Sequence, residues 1–396
     1  MTDAYAESGV DTGAADRGVT ALVDVLRTIS TGRSSRVVPL PGHFAAVLEV
    51  APNLGIAVGT DGVGSKLIVA EQAGRYDTVG IDCVAMNVND VVCVGAEPVA
   101  LLDYLAVERV DPAVMREIGL GLKAGAEQAG IEIPGGEVAV LPELIRGHPS
   151  PHGFDLTAAC FGTVALDAVV TGERCRPGDA LIGLPSSGLH SNGYSLARRA
   201  LGGLSLDDRP AVLGGASVAD ALLEPTVIYV RAVLELLRSG LPVHGLALDA
   251  TPPGLGGASV ADVLLEPTVI YVRAILELLR SGAAVRGLAH ITGGGLLNLL
   301  RLHADVGFEI ADPLPAPPVF GLIRELGDVA EPEMWEVFNM GCGFAVVVPE
   351  ADEAAAVELL ARHHQGARRI GTITAEPDRI TVPPLGIAGG PDGLGA

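Results

Sequence analysis

The sequence predicts a two-domain α/β (α+β) protein, and three observations carry that prediction. The 396 residues are 49% hydrophobic and 19% charged, which is enough apolar mass for a sizeable core and, at ordinary domain sizes, for two domains. Short strand-like apolar runs alternate with helix-periodic segments along the chain, the pattern of mixed α/β architecture. A turn-rich restart, RCRPGDALIGL, follows the apolar run AACFGTVAL and puts a domain boundary near residue 170. The division is therefore 1–170, 171–382 and a tail from 383 to 396, PPLGIAGGPDGLGA, whose glycine and proline content predicts a frayed end.

Taken in order, residues 1 to about 50 form a mixed approach segment. IAVGT (56–60) reads as a strand running into a glycine-rich loop. Helical periodicity follows over 65–73 and 84–94, with Asp82 at the end of a strand just before the second helix. Residues 99–105 read as a strand. Residues 111–129 read as a helix: Asp111 suits the N-cap, Pro112 the first turn and Gly130 the C-terminal stop. Residues 158–166 are the strand that ends the first domain.

The strongest organisational signal is an internal repeat. LGGASVADALLEPTVIYVRAVLELLRSG begins at Leu213 and recurs at Leu255 as LGGASVADVLLEPTVIYVRAILELLRSG, with 30 of 35 positions identical between 213–247 and 255–289. Two units are too few for a solenoid, and near-identity exceeds what core packing demands. The pair reads as a tandem duplication within one domain. The second copy runs directly into HITGGG, which favours that copy, 265–279, as the one docked in the fold, with 223–237 of the first displaced.

The formal charge of −22 makes nucleic acid an unfavourable partner. No apolar run reaches the roughly 18 residues of a membrane span, and the polar start MTDAYAESGVD is unlike a signal peptide. The five cysteines are scattered, with no CxxC pair, which fits a reducing cytoplasm without disulfides or zinc. Of the 26 basic residues only Lys66 and Lys123 are lysine. A chain that uses arginine by default needs a local reason for each lysine it keeps. Lys123, on the 111–129 helix, reads as a solvated surface charge.

Lys66 closes GTDGVGSK, 59–66. Glycines there let backbone N–H groups line an anion nest. Gly62, Gly64 and Ser65 are the candidate phosphate cradle, Lys66 a point charge for phosphate and Asp61 a carboxylate for Mg²⁺. The order Ser65–Lys66 inverts the P-loop ending, so the segment is no P-loop; a glycine turn with a surface lysine is the plain alternative. IDCVAMNVND groups Asp82, Asn87, Asn89 and Asp90 among apolar residues, where unpaired polar groups are costly; hard Mg²⁺ would compensate the carboxylates, as would ordinary buried hydrogen bonds. PGGEVA adds Glu137. SSGLHSNGYSLAR offers His190 and Asn192 at the start of a helix, and HITGGG offers Gly293, Gly294 and Gly295 before a helix from Leu296.

Together, GTDGVGSK, GIDCVAMNVNDVVCVGAEP, GGEVA, GLPSSGLHSNGYSLAR, LLEPTVIYV, GLAHITGGG and FNMGCG, in this order, resemble the phosphoribosylformylglycinamidine cyclo-ligase (AIR synthetase) family over roughly residues 5–375. Single pieces recur in relatives such as selenophosphate synthetase and thiamine-monophosphate kinase. The resemblance implies a homodimer whose N-terminal sheets pair into a β-barrel, flanked by C-terminal α/β domains. It implies ATP-dependent ring closure of formylglycinamidine ribonucleotide to aminoimidazole ribonucleotide, through a phosphorylated amide oxygen. By motif match, Asp61, Asp90 and Glu137 would face Mg²⁺–ATP, and Lys66 the phosphates. Asn89, His190, Asn192 and Gly293, Gly294 and Gly295 would contact nucleotide or substrate phosphate, with Lys66, Asp61 and His190 closest to the chemistry. Departure from the family lies in the duplication, and two other readings stand beside the resemblance: a different ATP-dependent kinase or synthetase of the superfamily, and a catalytically silent nucleotide-binding dimer, which the duplication motivates.

Overall fold

The computed structural model describes residues 12–228, 284–302 and 304–395. Helix α1 (Thr12–Leu26) precedes a six-stranded sheet made of β1 (Val37–Val38), β2 (Ala46–Ala51), β3 (Leu54–Gly62), β4 (Glu97–Val107), β5 (Glu132–Val140) and β6 (Phe154–Val164). The spatial order is β1-β2-β3-β6-β4-β5. Every neighbouring pair is antiparallel except β4–β5, which is parallel and joined by a helical crossover.

Three helices serve this sheet: α2 (Lys66–Ala73), α3 (Val79–Cys93) and α4 (Pro112–Ala129). Helix α4 begins as its sequence dictates: Asp111 accepts from the Ala113 N–H at 2.9 Å, Pro112 fills the first turn, and Gly130 ends it in the left-handed region. Lys123 is exposed and pairs with Glu127 one turn on. Helix α3 is buried on nearly all sides, and this corrects the placement of Asp82. That residue lies in the first turn of α3, not at a strand end. A helix buried on nearly all sides lacks the stripe that distinguishes it from a buried strand.

The second sheet begins after Val164 and has eight strands, in the order β14-β13-β12-β9-β11-β7-β10-β8. These are β7 (Ala180–Pro185), β8 (Gly287–His290), β9 (Gly307–Glu309), β10 (Cys342–Val348), β11 (Arg368–Thr374), β12 (Ile380–Val382), β13 (Ile387–Gly390) and β14 (Gly393–Gly395). Around it lie α5 (Tyr194–Ala200), α6 (Val218–Leu223), α7 (Pro318–Gly327), α8 (Glu331–Val337) and α9 (Glu353–His363). Central strands β7 and β10 are buried along almost their whole length and read as continuous apolar runs.

The tail is a second correction. Residues 387–395 form a hairpin at the sheet edge, and the Leu394 N–H donates to Glu336. Its glycines are turn residues, Gly386 and Gly393 both at positive φ, rather than a sign of disorder. HITGGG is followed by a 3₁₀ helix, Gly295–Arg301. The duplication is met at its two ends. Helix α6 of the first copy carries a Ser217–Asp220 capping box, and Leu222, Leu223, Val227 and Ile228 are buried. The first copy is thus seated in the fold as far as Ile228, and the choice between 223–237 and 265–279 as the docked helix lies outside the described residues. The second copy's helix, 265–279, lies outside the described residues, while its exit into β8 is in the sheet.

Helices α3 and α4 touch backbone to backbone at Gly80 and Gly121, where a Cβ on Gly121 would lie 2.4 Å from the Asp77 carbonyl. Gly121→Ala is expected to force the helices apart and lower unfolding free energy by about 1–3 kcal/mol, read as a fall in urea midpoint at unchanged m-value.

Candidate active site

Three N-terminal segments and three C-terminal segments meet between the two sheets. The first group comprises the end of β3 with the 62–65 loop, the start of α2, and α3; the second comprises the 186–193 loop, the 224–228 segment and the β8–TGGG turn. Lys66 stands where they join. It is fully buried, and its ammonium reaches both Asp82 carboxylate oxygens at 2.9 and 2.8 Å, the Glu224 carbonyl at 2.7 Å and the His190 carbonyl at 3.2 Å. Asp82 also accepts from the Thr226 N–H at 2.6 Å and from its hydroxyl at 2.5 Å. Burial pushes the lysine pKa down and the aspartate pKa up, and each is opposed chiefly by the other's charge.

This overturns the expectation that Lys66 handles phosphate. Its N–H groups are spent on one carboxylate and two carbonyls. The scarcity of lysine had a structural cause: a compact ammonium fits three acceptors in a closed space, and a planar guanidinium does not.

Asn89 is likewise occupied. Its side-chain amide donates to the Val227 carbonyl at 2.9 Å and lies 3.3 Å from His290 Nε2. The other ring nitrogen of His290 lies 3.0 Å from Asp90 Oδ1. His290 therefore ties α3 to β8, a role that the sequence reading passed over in favour of the glycines beside it. The His190 ring is buried 6.4 Å from the His290 ring. Burial first, and then the charges of His290 and Lys66, hold its pKa well below the usual imidazole range.

Asp61 sits at the cleft end of β3. Asn87 clamps its backbone from α3, accepting from its N–H at 3.0 Å and donating to its carbonyl at 3.0 Å. The Gly62 N–H donates to Asp61 Oδ1 at 2.7 Å. Burial, reinforced by the negative charge of Asp90, pushes the Asp61 carboxyl up to about 6. Two carboxylates in one partly dry space repel each other, and a divalent cation would relieve that repulsion. Among the described residues no group of three His, Cys, Asp or Glu side chains is preassembled as a metal cage. A pair of carboxylates nonetheless suits hard Mg²⁺, which takes its other ligands from phosphate and water.

Glu137 does not join that pair within the chain. The registers align Asp61, Ala158, Asp103 and Gly136 in one row across β3, β6, β4 and β5. Glu137 is one residue on and points from the opposite face, exposed.

The two glycine loops face the polar turn of α5. Ser65 Oγ lies 3.4 Å from Ser195 Oγ, and Gly64 adopts a positive φ near Ser191. Asn192 packs on Gly293, where a Cβ would come within 2.8 Å of the amide carbon, and its Oδ1 is buried with no hydrogen-bond partner. Gly294 and Gly295 have positive φ, and Gly295 abuts the Trp335 carbonyl. Part of the glycine run is thus fixed by packing, and an unpartnered Asn192 oxygen is left facing it.

Comparison with known proteins covers both domains. The AIR synthase related protein N-terminal domain model matches residues 42–164. The corresponding C-terminal domain model matches 176–260 and 243–382, two stretches that overlap within the duplication. The chain is 45% identical over 381 residues to a phosphoribosylformylglycinamidine cyclo-ligase of Methanothermobacter thermautotrophicus, covering 96% of each. It is 40% identical over 388 residues to that of Pyrococcus horikoshii, covering 97% of this chain and 98% of the other. Among solved structures it is similar to the hydrogenase maturation protein HypE in complex with ATP, with TM-score 0.55, 19% identity and coverage of 91% of both chains. It is also similar to a HypE–HypF complex, with TM-score 0.57, 18% identity and coverage of 89% and 93%.

Lys66→Met should leave Asp82 buried without its counter-charge and cost about 3–5 kcal/mol. Chemical denaturation reads this directly; a loss under 1 kcal/mol would remove the ion pair from its structural role.

Proposed function

The chain belongs to the phosphoribosylformylglycinamidine cyclo-ligase family, and on that premise we propose that its cleft carries out ATP-dependent ring closure of formylglycinamidine ribonucleotide to aminoimidazole ribonucleotide, a step of de novo purine biosynthesis. Identity to curated cyclo-ligases across both domains carries this reading. The carboxylate pair beside two glycine turns, Asp61 at the start of the 62–65 loop and Asp90 bonded to His290 just before TGGG, is the site geometry that supports it.

Mg²⁺–ATP supplies the phosphoryl group that turns the amide oxygen of the substrate into a leaving group. In our reading Asp61 and Asp90 would hold the cation, with His290 bonded to the Asp90 carboxylate and Asn87 fixing the backbone of Asp61. Backbone N–H groups of the 62–65 and 293–295 segments, with the Asn192 amide, face the phosphates. This reaction asks no covalent nucleophile of the chain. Attack by the substrate's own nitrogen is intramolecular, so the principal task is to hold the substrate folded, and a rigid cleft between two domains performs it. His190, buried and neutral, serves as packing behind the loops rather than as a proton carrier. Cytoplasmic location suits the reading: the five thiols are free and buried, and no described helix is long and apolar enough to cross a membrane.

The sign of the pH dependence follows from Asp61. Its carboxyl is raised to about 6, so a proton occupies it at lower pH and must leave before a cation binds. The same shift means that its contribution to folding is present below the ordinary carboxylate range and is lost as pH rises through about 6. Purified protein given ATP, Mg²⁺ and formylglycinamidine ribonucleotide should release the aminoimidazole product. Mg²⁺ affinity should fall by up to ~10-fold per pH unit below that pKa and level off above it. Asp61→Asn should remove this dependence and lower turnover by ~100-fold or more. ATP binding without product would exclude the cyclo-ligase reading.

We also propose a homodimer. Leu48, Leu54, Val58, Leu102 and Tyr104 are exposed large apolar residues on one face of the first sheet, spread over β2, β3 and β4. The helices cover the other face. An apolar face of this kind is the core of an interface, and a second copy's identical face would close the two sheets into a barrel. Light scattering should give twice the 40.4 kDa chain mass, and Leu102→Glu should yield monomer.

A further inference from the structure

The 3₁₀ helix that follows TGGG ends in Arg301, an exposed residue. Its guanidinium lies 5.0 Å from the centre of the Phe44 ring. Phe44 comes from the other domain, in the segment just before β2, and is itself only 8% exposed. The contact therefore bridges the two domains. Both Asp61, at the cleft end of β3, and Cys93, at the end of α3, lie within the electrostatic reach of this arginine.

The choice of contact is informative. An arginine near carboxylates ordinarily settles into a bidentate ion pair. Among the described residues Arg301 has no carboxylate within ion-pair distance; Asp90 is engaged by His290 instead. Stacking on an aromatic ring engages the flat face of a guanidinium and leaves its in-plane N–H donors available. Those donors suit the oxygens of a phosphate group. A carboxylate pair awaiting a hard cation, with a stacked arginine nearby whose donors are open, is a complementary set for a metal–phosphate ligand: carboxylates for the metal, guanidinium for the remaining phosphate oxygens.

We propose that Arg301 is a phosphate-binding residue of this cleft and that Phe44 holds it in place for that task. The inference rests on the cyclo-ligase reading and extends it to a residue outside all the glycine and carboxylate motifs. The phosphate has two sources in that reaction, the polyphosphate of ATP and the 5′-phosphate of the ribonucleotide, and the two are separable.

Calorimetry on the full-length protein should compare wild type with Arg301→Ala, Arg301→Gln and Phe44→Leu. The titrants are a non-hydrolysable ATP analogue with Mg²⁺ and, separately, formylglycinamidine ribonucleotide. Arg301→Ala and Arg301→Gln should weaken one of the two by 10-fold or more, and the ligand affected identifies the source. The salt dependence of that affinity should become shallower, and Phe44→Leu should weaken the same ligand several-fold. Melting temperatures of the two arginine variants should stay near wild type, since the side chain is exposed. Affinities within twofold of wild type for both ligands would overturn the role of Arg301 while leaving the cyclo-ligase reading intact. Wild type that binds neither ligand would overturn both.

Discussion

A buried ion pair joins the two domains. Lys66 and Asp82 are both withdrawn from water, an arrangement that is costly unless every donor and acceptor is used. Here the remaining partners are backbone and hydroxyl groups of the C-terminal half: the carbonyls of His190 and Glu224 and the N–H and hydroxyl of Thr226. Satisfying one charged pair thus fixes the polar turn before α5 and the segment after α6 against α2 and α3. The orientation of one domain on the other follows from this requirement.

The cleft inherits its geometry from that junction. Helix α3 contributes Asp82 to the ion pair, Asn87 to the backbone of Asp61, Asn89 to Val227 and Asp90 to His290. One rigid helix therefore carries four polar side chains into contacts that are mostly interdomain. Such a helix is expensive to bury without partners, and its partners come from segments about 140 and 200 residues away in sequence. The carboxylate of Asp61 differs from the rest. Among the described residues no cationic side chain is bonded to it, in contrast to Asp82 with Lys66, and it retains a need for positive charge beside Asp90. That residual imbalance distinguishes a group presented to a ligand from groups consumed by the fold.

The duplication tests how local this order is. Glu224, Thr226 and Val227 belong to the first copy, and all three are bonded to α2 or α3. Strand β8 is the end of the second copy and the TGGG turn follows it, and both still occupy the sheet and the cleft beside it. The two ends of the duplicated stretch therefore keep the contacts that build the site, and the additional 42 residues lie between them.

By itself the sequence determined the mixed architecture, the α4 helix with its Asp111 cap and Gly130 stop, the repeat, and the ordered motifs that identify the family. These signals are local: caps, periods and glycine turns act within a few residues. It misread the residues whose partners are distant. Asp82 looked like a strand end because α3 is buried on nearly every side and shows no amphipathic stripe, and the tail looked frayed because its turn glycines were read without the sheet edge that receives them. Lys66 looked like a phosphate ligand because rarity marks importance without saying of which kind. Only the tertiary structure decided that Lys66 is spent on Asp82, that Glu137 faces away from Asp61, that His290 is bonded to Asp90 and that Arg301 packs on Phe44. Whether a polar side chain is satisfied by the protein or left for a ligand depends on atoms brought from elsewhere in the chain, and the GTDGVGSK loop carries no record of them.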